Sequence, residues 1–186
     1  MAYILASKSP RRRAYLTELG IPFTVMTKET DETLDESITP REGVEILARR
    51  KAEALSQDVS QTDILIAADT LVELDGKALG KPIDEADAKA MLSRLSGARH
   101  TVHTGVAVKR GERILSDAET TVIRFRPLTE SEIDAYIASG EPMDKAGAYG
   151  IQGGASAFVE SIDGEFDNVV GLPCKLLVRL LSEIEK

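Results

Sequence analysis

The chain has 186 residues, 42% of them hydrophobic and 29% charged, and a formal net charge of -8. This length fits one domain or two closely joined lobes around a cleft, with a sizeable core. The composition is that of a globular protein and excludes a wholly disordered chain. The negative charge argues against a general nucleic-acid binder, because such proteins neutralise many phosphates. Any phosphate site must therefore be local.

The chain also lacks targeting features. No segment approaches the roughly 18 apolar residues that a membrane span requires, and no basic and then apolar leader opens the sequence. The single Cys174 cannot form an internal disulfide, which agrees with a reducing compartment. We therefore expect a cytoplasmic protein with no membrane partner and no nucleic-acid partner.

Strand and helix patterns alternate early in the chain, and hairpins dominate its middle. Predicted strands cover residues 3–6, 21–26, 64–74, 100–109, 113–125 and 157–162. Predicted helices cover residues 10–19, 40–56, 85–95, 130–139 and 173–184. This order predicts an α/β fold with a mixed sheet and flanking helices. The segment 141–154 between the last elements is rich in glycine and is expected to be a functional loop.

The first loop joins the first strand to the first helix and concentrates basic side chains. Ser9 is expected to cap the helix, and Pro10 occupies its first turn. Three arginines, residues 11–13, then add positive charge to the positive end of the helix dipole, which capping does not require. A helix N-terminus with guanidinium groups favours a phosphate site. The alternative is a solvated basic turn.

Asp69 and Lys51 are placed to reach a cleft. Asp69 stands at the polar end of the continuous apolar run 64–68, a kind of position where α/β folds commonly bind ligands, although aspartate also caps turns there. Lys51 lies at the edge of the apolar stripe of its helix. Glu32 lies in an acidic loop and is a weaker candidate. Carboxylates with nearby cations are what metal-assisted phosphoryl chemistry requires.

Other chemistries are poorly supplied. With His100, His103 and one cysteine, a zinc site is improbable, and both histidines are expected to pack or cap at the surface. Cys174 at the start of the last helix is expected to be inert. Neither of the two commonest glycine-rich nucleotide-binding loops is present.

Taken together, these residues resemble the Maf family of nucleotide pyrophosphatases. The resemblance covers nearly the whole chain in the order of the family's motifs, which here occupy residues 5–12, 31–32, 48–52, 68–70, 80–82, 95–97, 144–153 and 170–173. It implies an elongated, Maf/Ham1-like α/β fold, related to that of the inosine triphosphatases, as a single domain over residues 1–186. One departure is Arg50, where the family often has glutamate.

The resemblance also implies an activity: hydrolysis of a nucleoside triphosphate between its α and β phosphates, with a divalent cation, Mg²⁺ or Mn²⁺. Asp69 matches the position of the proton acceptor, and Glu32 would hold the metal, with Asp69 sharing it. The residues that would bind the phosphates are Ser7, Ser9, Arg12, Lys51 and Lys81. The resemblance further implies a homodimer.

Three positions that differ between branches of the family carry Arg11, Thr70 and Gln152. This combination resembles the branch that acts on dTTP and UTP. The side chain of Gln152 offers a donor and an acceptor to a pyrimidine edge, and Thr70 offers a small hydroxyl. A second hypothesis is a nucleotide-binding regulator of septum formation, in which catalysis is incidental.

Overall fold

The computed structural model describes residues 1–35 and 37–186. Its strands form one seven-stranded sheet: β1 (Tyr3–Leu5), β2 (Phe23–Val25), β3 (Ile64–Leu74), β4 (Lys77–Leu79), β5 (Arg99–Arg110), β6 (Arg113–Phe125) and β7 (Val159–Asp163). The strand order is β2-β1-β3-β5-β6-β7, and β4 pairs with β3. Both pairings of β1 are parallel, whereas the later pairings are antiparallel, so the predicted mixed sheet is confirmed.

The helices are α1 (Pro10–Glu18), α2 (Pro40–Ala54), α3 (Glu85–Leu95), α4 (Glu130–Ala138), α5 (Phe166–Val170) and α6 (Cys174–Ile184). Their starts follow local capping chemistry. Ser9 caps α1 by accepting from the backbone N–H of Arg12, and Thr39 and Thr129 form capping boxes at α2 and α4. The five predicted helices are confirmed within two residues at each end.

Each face of the sheet is covered by helices because successive side chains point to opposite faces and apolar residues occur on both of them. On one face, Leu65 and Ala67 of β3 pack against Ala48 and Ala52 of α2. On the other face, one end of the sheet packs against α6 and the other end against α3 and α4. Strand β3 is thus buried on both sides, as its apolar sequence predicts.

Helix α2 lies unusually close to the sheet at Gly105 of β5. A side-chain carbon at this glycine would come within 2.2 Å of the backbone oxygen of Val44 in α2. Gly105 pairs with Asp69 across the two strands. The absence of a side chain at this position therefore allows the helix that carries Lys51 to approach the strand that carries Asp69.

One edge of β3 is open in its middle. Strand β1 pairs with β3 as far as Ile66, and β4 pairs with it from Val72 onward. Among the described residues, no strand pairs with residues 67–71 on this side. Successive side chains point to opposite faces, so the side chain of Asp69 lies on one face of the sheet at this opening and that of Thr70 on the other.

Two predictions need correction. His100 and His103 are buried, at 3% and 5% exposure, because β5 is a central strand; the surface positions predicted for them are wrong. The short helix α5 was not predicted at all. Within the described residues, none of the helices has the length and hydropathy of a membrane span.

Candidate functional site

A cavity of about 990 Å³ opens at the unpaired edge of β3. Its volume is typical of a small-ligand site. The basic side chains that line it are Lys8, Arg11, Arg12, Lys51, Lys81 and Lys145. The acidic ones are Glu32, Glu141, Asp144 and Asp69. Basic groups outnumber acidic ones here although the whole chain is negatively charged, so the cavity suits an anion.

The structure brings together most of the residues predicted to form the site. The ones that line the cavity are Ser9, Arg11, Arg12, Glu32, Lys51, Asp69, Thr70, Lys81 and Gln152. Ser7 does not belong to the lining. Its hydroxyl oxygen accepts from the backbone N–H of Ser9 at 3.2 Å and from Arg12 Nη1 at 3.2 Å. Ser7 therefore supports the loop from within the protein.

The guanidinium of Arg12 is anchored on several sides. Its Nε donates to the backbone oxygen of Gly171 at 2.8 Å, and its Nη2 donates to Thr70 Oγ1 at 3.1 Å. Gly171 has a φ of 114°, a conformation that side chains disfavour, and this backbone presents its oxygen to Arg12. Burial lowers the pKa of Arg12, and the nearby Asp69 opposes that change. The arginine is therefore a fixed cation at the wall of the cavity.

The centre of the site consists of two carboxylates that share one ammonium. Lys51 Nζ forms ion pairs with Glu32 Oε1 at 2.8 Å and with Asp69 Oδ1. The hydrogen bond from Lys51 lowers the pKa of Glu32, with smaller contributions from Lys81 and Arg12. Both carboxylate oxygens thus converge on a single point, as the sequence could not show. Asp69 Oδ2 has no hydrogen-bond partner within the described part of the chain.

Two carboxylates that converge on one cation also fit a divalent metal. Mg²⁺ is commonly held by one or two carboxylates together with phosphate oxygens of the substrate. The described residues contain no group of three or more acidic, histidine or cysteine side chains arranged around one point. A metal at this site would therefore need oxygen ligands from the substrate or from water in addition to Glu32 and Asp69.

Arg50 explains how the acidic loop is held. Its Nη1 donates to the backbone oxygens of Asp31 at 3.0 Å and Thr33 at 2.7 Å, on either side of Glu32. Arg50 therefore gives the Glu32 loop a tether to α2. Two neighbouring residues of α2 thus bind different parts of this loop. Lys51 contacts the carboxylate of Glu32, and Arg50 binds the backbone on either side of it.

The glycine-rich loop is held at both ends by side chains. Tyr136 accepts from the backbone N–H of Gly150 at 3.0 Å and donates to Glu141 Oε1 at 3.1 Å, while Glu141 Oε2 accepts from the N–H of Gly154 at 3.0 Å. Gln152 lies between these anchors with its side chain exposed to the cavity. Within the described residues, its amide has no protein partner, so it is available to a ligand.

Sequence reasoning assigned no role to Lys145 in this loop or to Tyr136, which anchors the loop from α4. Lys145 lines the cavity and donates to the backbone oxygen of Glu141 and to Asp144 Oδ1, both at 2.7 Å. The concentration of Asp144, Lys145 and Gln152 in one glycine-rich segment marked the loop as functional. Nothing local marked Tyr136 as its anchor, because Tyr136 lies on α4 and its apolar neighbours predict a core residue.

The remaining candidates lie outside this chemistry. Burial raises the pKa of the Cys174 thiol to about 12, with Asp167 as a further cause, so the thiol stays protonated at neutral pH, which agrees with the expectation that it is inert. His103 bonds to Thr120 Oγ1 at 2.9 Å and Glu73 Oε2 at 2.8 Å, and His100 Nε2 to Tyr149 at 2.8 Å. Neither histidine lines the cavity.

Comparisons with known proteins agree with the fold and the motifs. A dTTP/UTP pyrophosphatase of Symbiobacterium thermophilum is 52% identical over 97% of this chain and 92% of its own length. One of Bacillus cereus is 48% identical over 97% of this chain and 94% of its own. A HAM1 protein structure from Coxiella burnetii covers 98% of this chain and 100% of its own, with a TM-score of 0.51 and 16% identity, which supports the predicted Ham1-like fold. The family description "Maf-like protein" matches residues 2–184. The chain belongs to the Maf-like protein family.

Proposed function

We propose that this protein hydrolyses dTTP and UTP, and also modified pyrimidine triphosphates, to the monophosphate and pyrophosphate. The observation that carries the proposal is the convergence of Glu32 and Asp69 on Lys51 inside a cleft with a basic lining. The two relatives described above, each about half identical to this chain, are named for that activity. The proposed reaction is an attack of water on the α phosphorus.

In this mechanism Asp69 accepts the proton of the attacking water. As the new bond to oxygen forms, the bond between the α phosphorus and the bridging oxygen breaks, and pyrophosphate leaves with that oxygen. Lys51 Nζ holds Asp69 Oδ1, so the other carboxylate oxygen is the one that receives the proton. A carboxylate positioned in this way supplies general base catalysis.

Cationic side chains would bind the phosphates and stabilise charge that develops on the leaving group. Arg12 and Lys81 line the cavity, and Arg12 is oriented by protein hydrogen bonds before any ligand arrives. The N-terminus of α1 adds a favourable dipole near Ser9. Glu32 and Asp69 are the residues that would hold a divalent cation, which when bound would neutralise phosphate oxygens.

Selection of the nucleotide base is assigned to the part of the cavity that is lined by the glycine-rich loop. Gln152 extends into it from the anchored loop. Asp144 belongs to the same loop as Gln152, and its pKa is lowered mainly by Lys145 and to a smaller extent by Arg11. The contribution of Arg11 places its side chain near this loop. A glutamine can offer a donor and an acceptor to a pyrimidine edge, and a mismatched base would leave these groups unpaired. Thr70 completes the set of proposed specificity residues.

The test is a substrate panel with purified protein and Mg²⁺ or Mn²⁺. Separate reactions contain dTTP, UTP, CTP, GTP and 7-methyl-GTP, and products are separated by ion-pair chromatography with an assay of pyrophosphate. We expect monophosphate and pyrophosphate from dTTP and UTP. Turnover of 7-methyl-GTP alone would contradict the selectivity, and tight binding without turnover would favour a nucleotide-binding regulator instead.

A substitution tests the assignment of Gln152. Gln152→Glu removes the amide donor and adds a negative charge, so the preference for dTTP and UTP over the other nucleotides should weaken. Gln57→Glu makes the same chemical change at an exposed position outside the cavity and should leave the preference unchanged. An unchanged substrate profile in Gln152→Glu would show that the base binds elsewhere.

The single-domain organisation, the homodimer and the cytoplasmic location stay predictions. The family match over residues 2–184 supports one domain. Size-exclusion chromatography with light scattering would measure the oligomeric state, with a mass of twice 20.1 kDa expected for the homodimer.

A further inference from the structure

A line of hydrogen bonds runs from Arg12 at the cavity wall into the core of the protein. Arg12 Nη2 lies 3.1 Å from Thr70 Oγ1, which lies 3.0 Å from Thr104 Oγ1. Thr104 Oγ1 in turn lies 2.8 Å from the backbone oxygen of Asn168 in α5. Thr70 and Thr104 face each other across β3 and β5, so the sheet register sets their separation. The line thus connects Arg12, which is proposed to bind phosphate, to the buried residues Thr104 and Asn168.

Only one assignment of donors and acceptors satisfies every hydrogen bond in this line. A guanidinium can only donate, so Thr70 accepts from Arg12, and a carbonyl oxygen can only accept, so Thr104 donates to Asn168. Thr104 has one proton, which leaves Thr70 as the donor in the bond between the two hydroxyls. Thr70 therefore has no proton left to offer a base, and its lone pair is directed at Arg12.

Thr104 is completely buried, although the neighbouring side chains on the same face of β5, Val102 and Val106, are apolar. Valine would fill the same volume without a polar group. Packing alone therefore does not account for a hydroxyl group at this position. Both of its hydrogen bonds belong to the line that ends at Arg12.

We propose that Thr104 is a positioning residue for the phosphate site, which acts through the hydroxyl of Thr70 to orient the guanidinium of Arg12. It follows that Thr70 influences the substrate through its grip on Arg12 and does not donate a hydrogen bond to the base. This inference rests on the proposed function, since it assigns Arg12 to the phosphates of a nucleoside triphosphate.

A purely structural role is the main competing explanation, because Thr104 also ties α5 to the sheet. Thr121 is a matched comparison: it too is completely buried, and its hydroxyl donates to the backbone oxygen of Glu165 at 2.9 Å, just before α5. Its hydroxyl also accepts from Asn168 Nδ2 at 3.0 Å, but it contacts neither Thr70 nor Arg12. Loss of this second tether should therefore affect stability without changing the phosphate site.

The experiment compares Thr104→Val, Thr104→Ser and Thr121→Val. For each variant we would measure KM and kcat for dTTP, and the affinity for inorganic pyrophosphate by calorimetry in the presence of Mg²⁺. Thr104→Val should weaken pyrophosphate binding and raise KM by up to about tenfold, the scale of one hydrogen bond between neutral groups. Thr104→Ser should restore most of the loss, and Thr121→Val should bind pyrophosphate like the original protein.

An Arg12→Lys background identifies the route of the effect. If Thr104 acts through Arg12, Thr104→Val should cause no further loss of pyrophosphate affinity there. Equal losses in both backgrounds, or an equal loss in Thr121→Val, would overturn the proposal. Should Thr104→Val fail to fold, Thr104→Cys provides a weaker donor of similar size, with the same direction expected.

The two proposals fail in different ways. If the original protein does not hydrolyse dTTP, the proposed function fails, while pyrophosphate affinity still reports on the link between Thr104 and Arg12. If dTTP is hydrolysed but Thr104→Val retains the original pyrophosphate affinity, only the positioning role is overturned.

Discussion

The sharpest test of the catalytic assignment is Asp69→Asn. The substitution keeps the volume of the side chain and removes its charge, which leaves Lys51 paired with Glu32 alone. Loss of a general base should lower kcat by about 10² to 10⁴, equivalent to about 3–5 kcal/mol in the activation free energy. KM should change little or fall, because the cavity loses a negative charge that repels the triphosphate.

The assay is release of pyrophosphate from dTTP at saturating substrate, with thermal unfolding recorded for each variant. Asp75→Asn serves as the control, since it makes the same chemical change at the exposed turn between β3 and β4. A kcat for Asp69→Asn within tenfold of the original would refute its role as base. A large rise in KM with unchanged kcat would assign Asp69 to binding instead.

Two further predictions concern stability, measured as the free energy of unfolding in urea. Gly105→Ala should lower the free energy of unfolding by about 3 kcal/mol or more, because the new carbon would lie 2.2 Å from the backbone oxygen of Val44. Gly80→Ala is the control: its new carbon meets no atom within 4 Å, so the free energy of unfolding should change little. Burial lowers the pKa of His100 from 6.5 to about 4, so between these pH values the unfolded chain binds a proton that the folded chain does not. As the pH is lowered from 6.5 to 4, the free energy of unfolding should therefore decrease by up to about 3 kcal/mol. His100→Gln should reduce this loss; the same pH dependence in both proteins would show that other groups cause it.

The parts of the fold that sequence reasoning predicted are those with local causes. Ser9, Thr39 and Thr129 announce helix starts through contacts that span only three residues. The continuous apolar run of β3 indicates burial on both faces, and the polar Asp69 within it marks the site. Lys51 could be placed at the edge of its helix by periodicity alone.

The parts that were missed depend on distant contacts. The expectation that His100 lies at the surface was wrong because its ring bonds to Tyr149, 49 residues away, inside a core that the strand order creates. The hydrogen bond from Arg12 Nη1 to Ser7 could not be predicted, since it depends on the orientation of the guanidinium in the folded chain; the phosphate-binding role of Ser7 stays a prediction. The anchor at Tyr136 belongs to another element than the loop it holds. Such partners are known only once the chain has folded.

The open edge of β3 makes the site unusually sensitive to insertions. Asp69 and Thr70 are consecutive, yet their side chains lie on opposite faces of the sheet, and among the described strands β5 is the one that pairs with both residues. A shift of one residue in this pairing would exchange the two side chains, removing the carboxylate from Lys51 and the hydroxyl from Arg12 at the same time. Any inserted or deleted residue within β3 should therefore abolish activity even where a sheet still forms, whereas the β5–β6 turn at Gly111 lies beyond these pairs and is the safer place for changes in length.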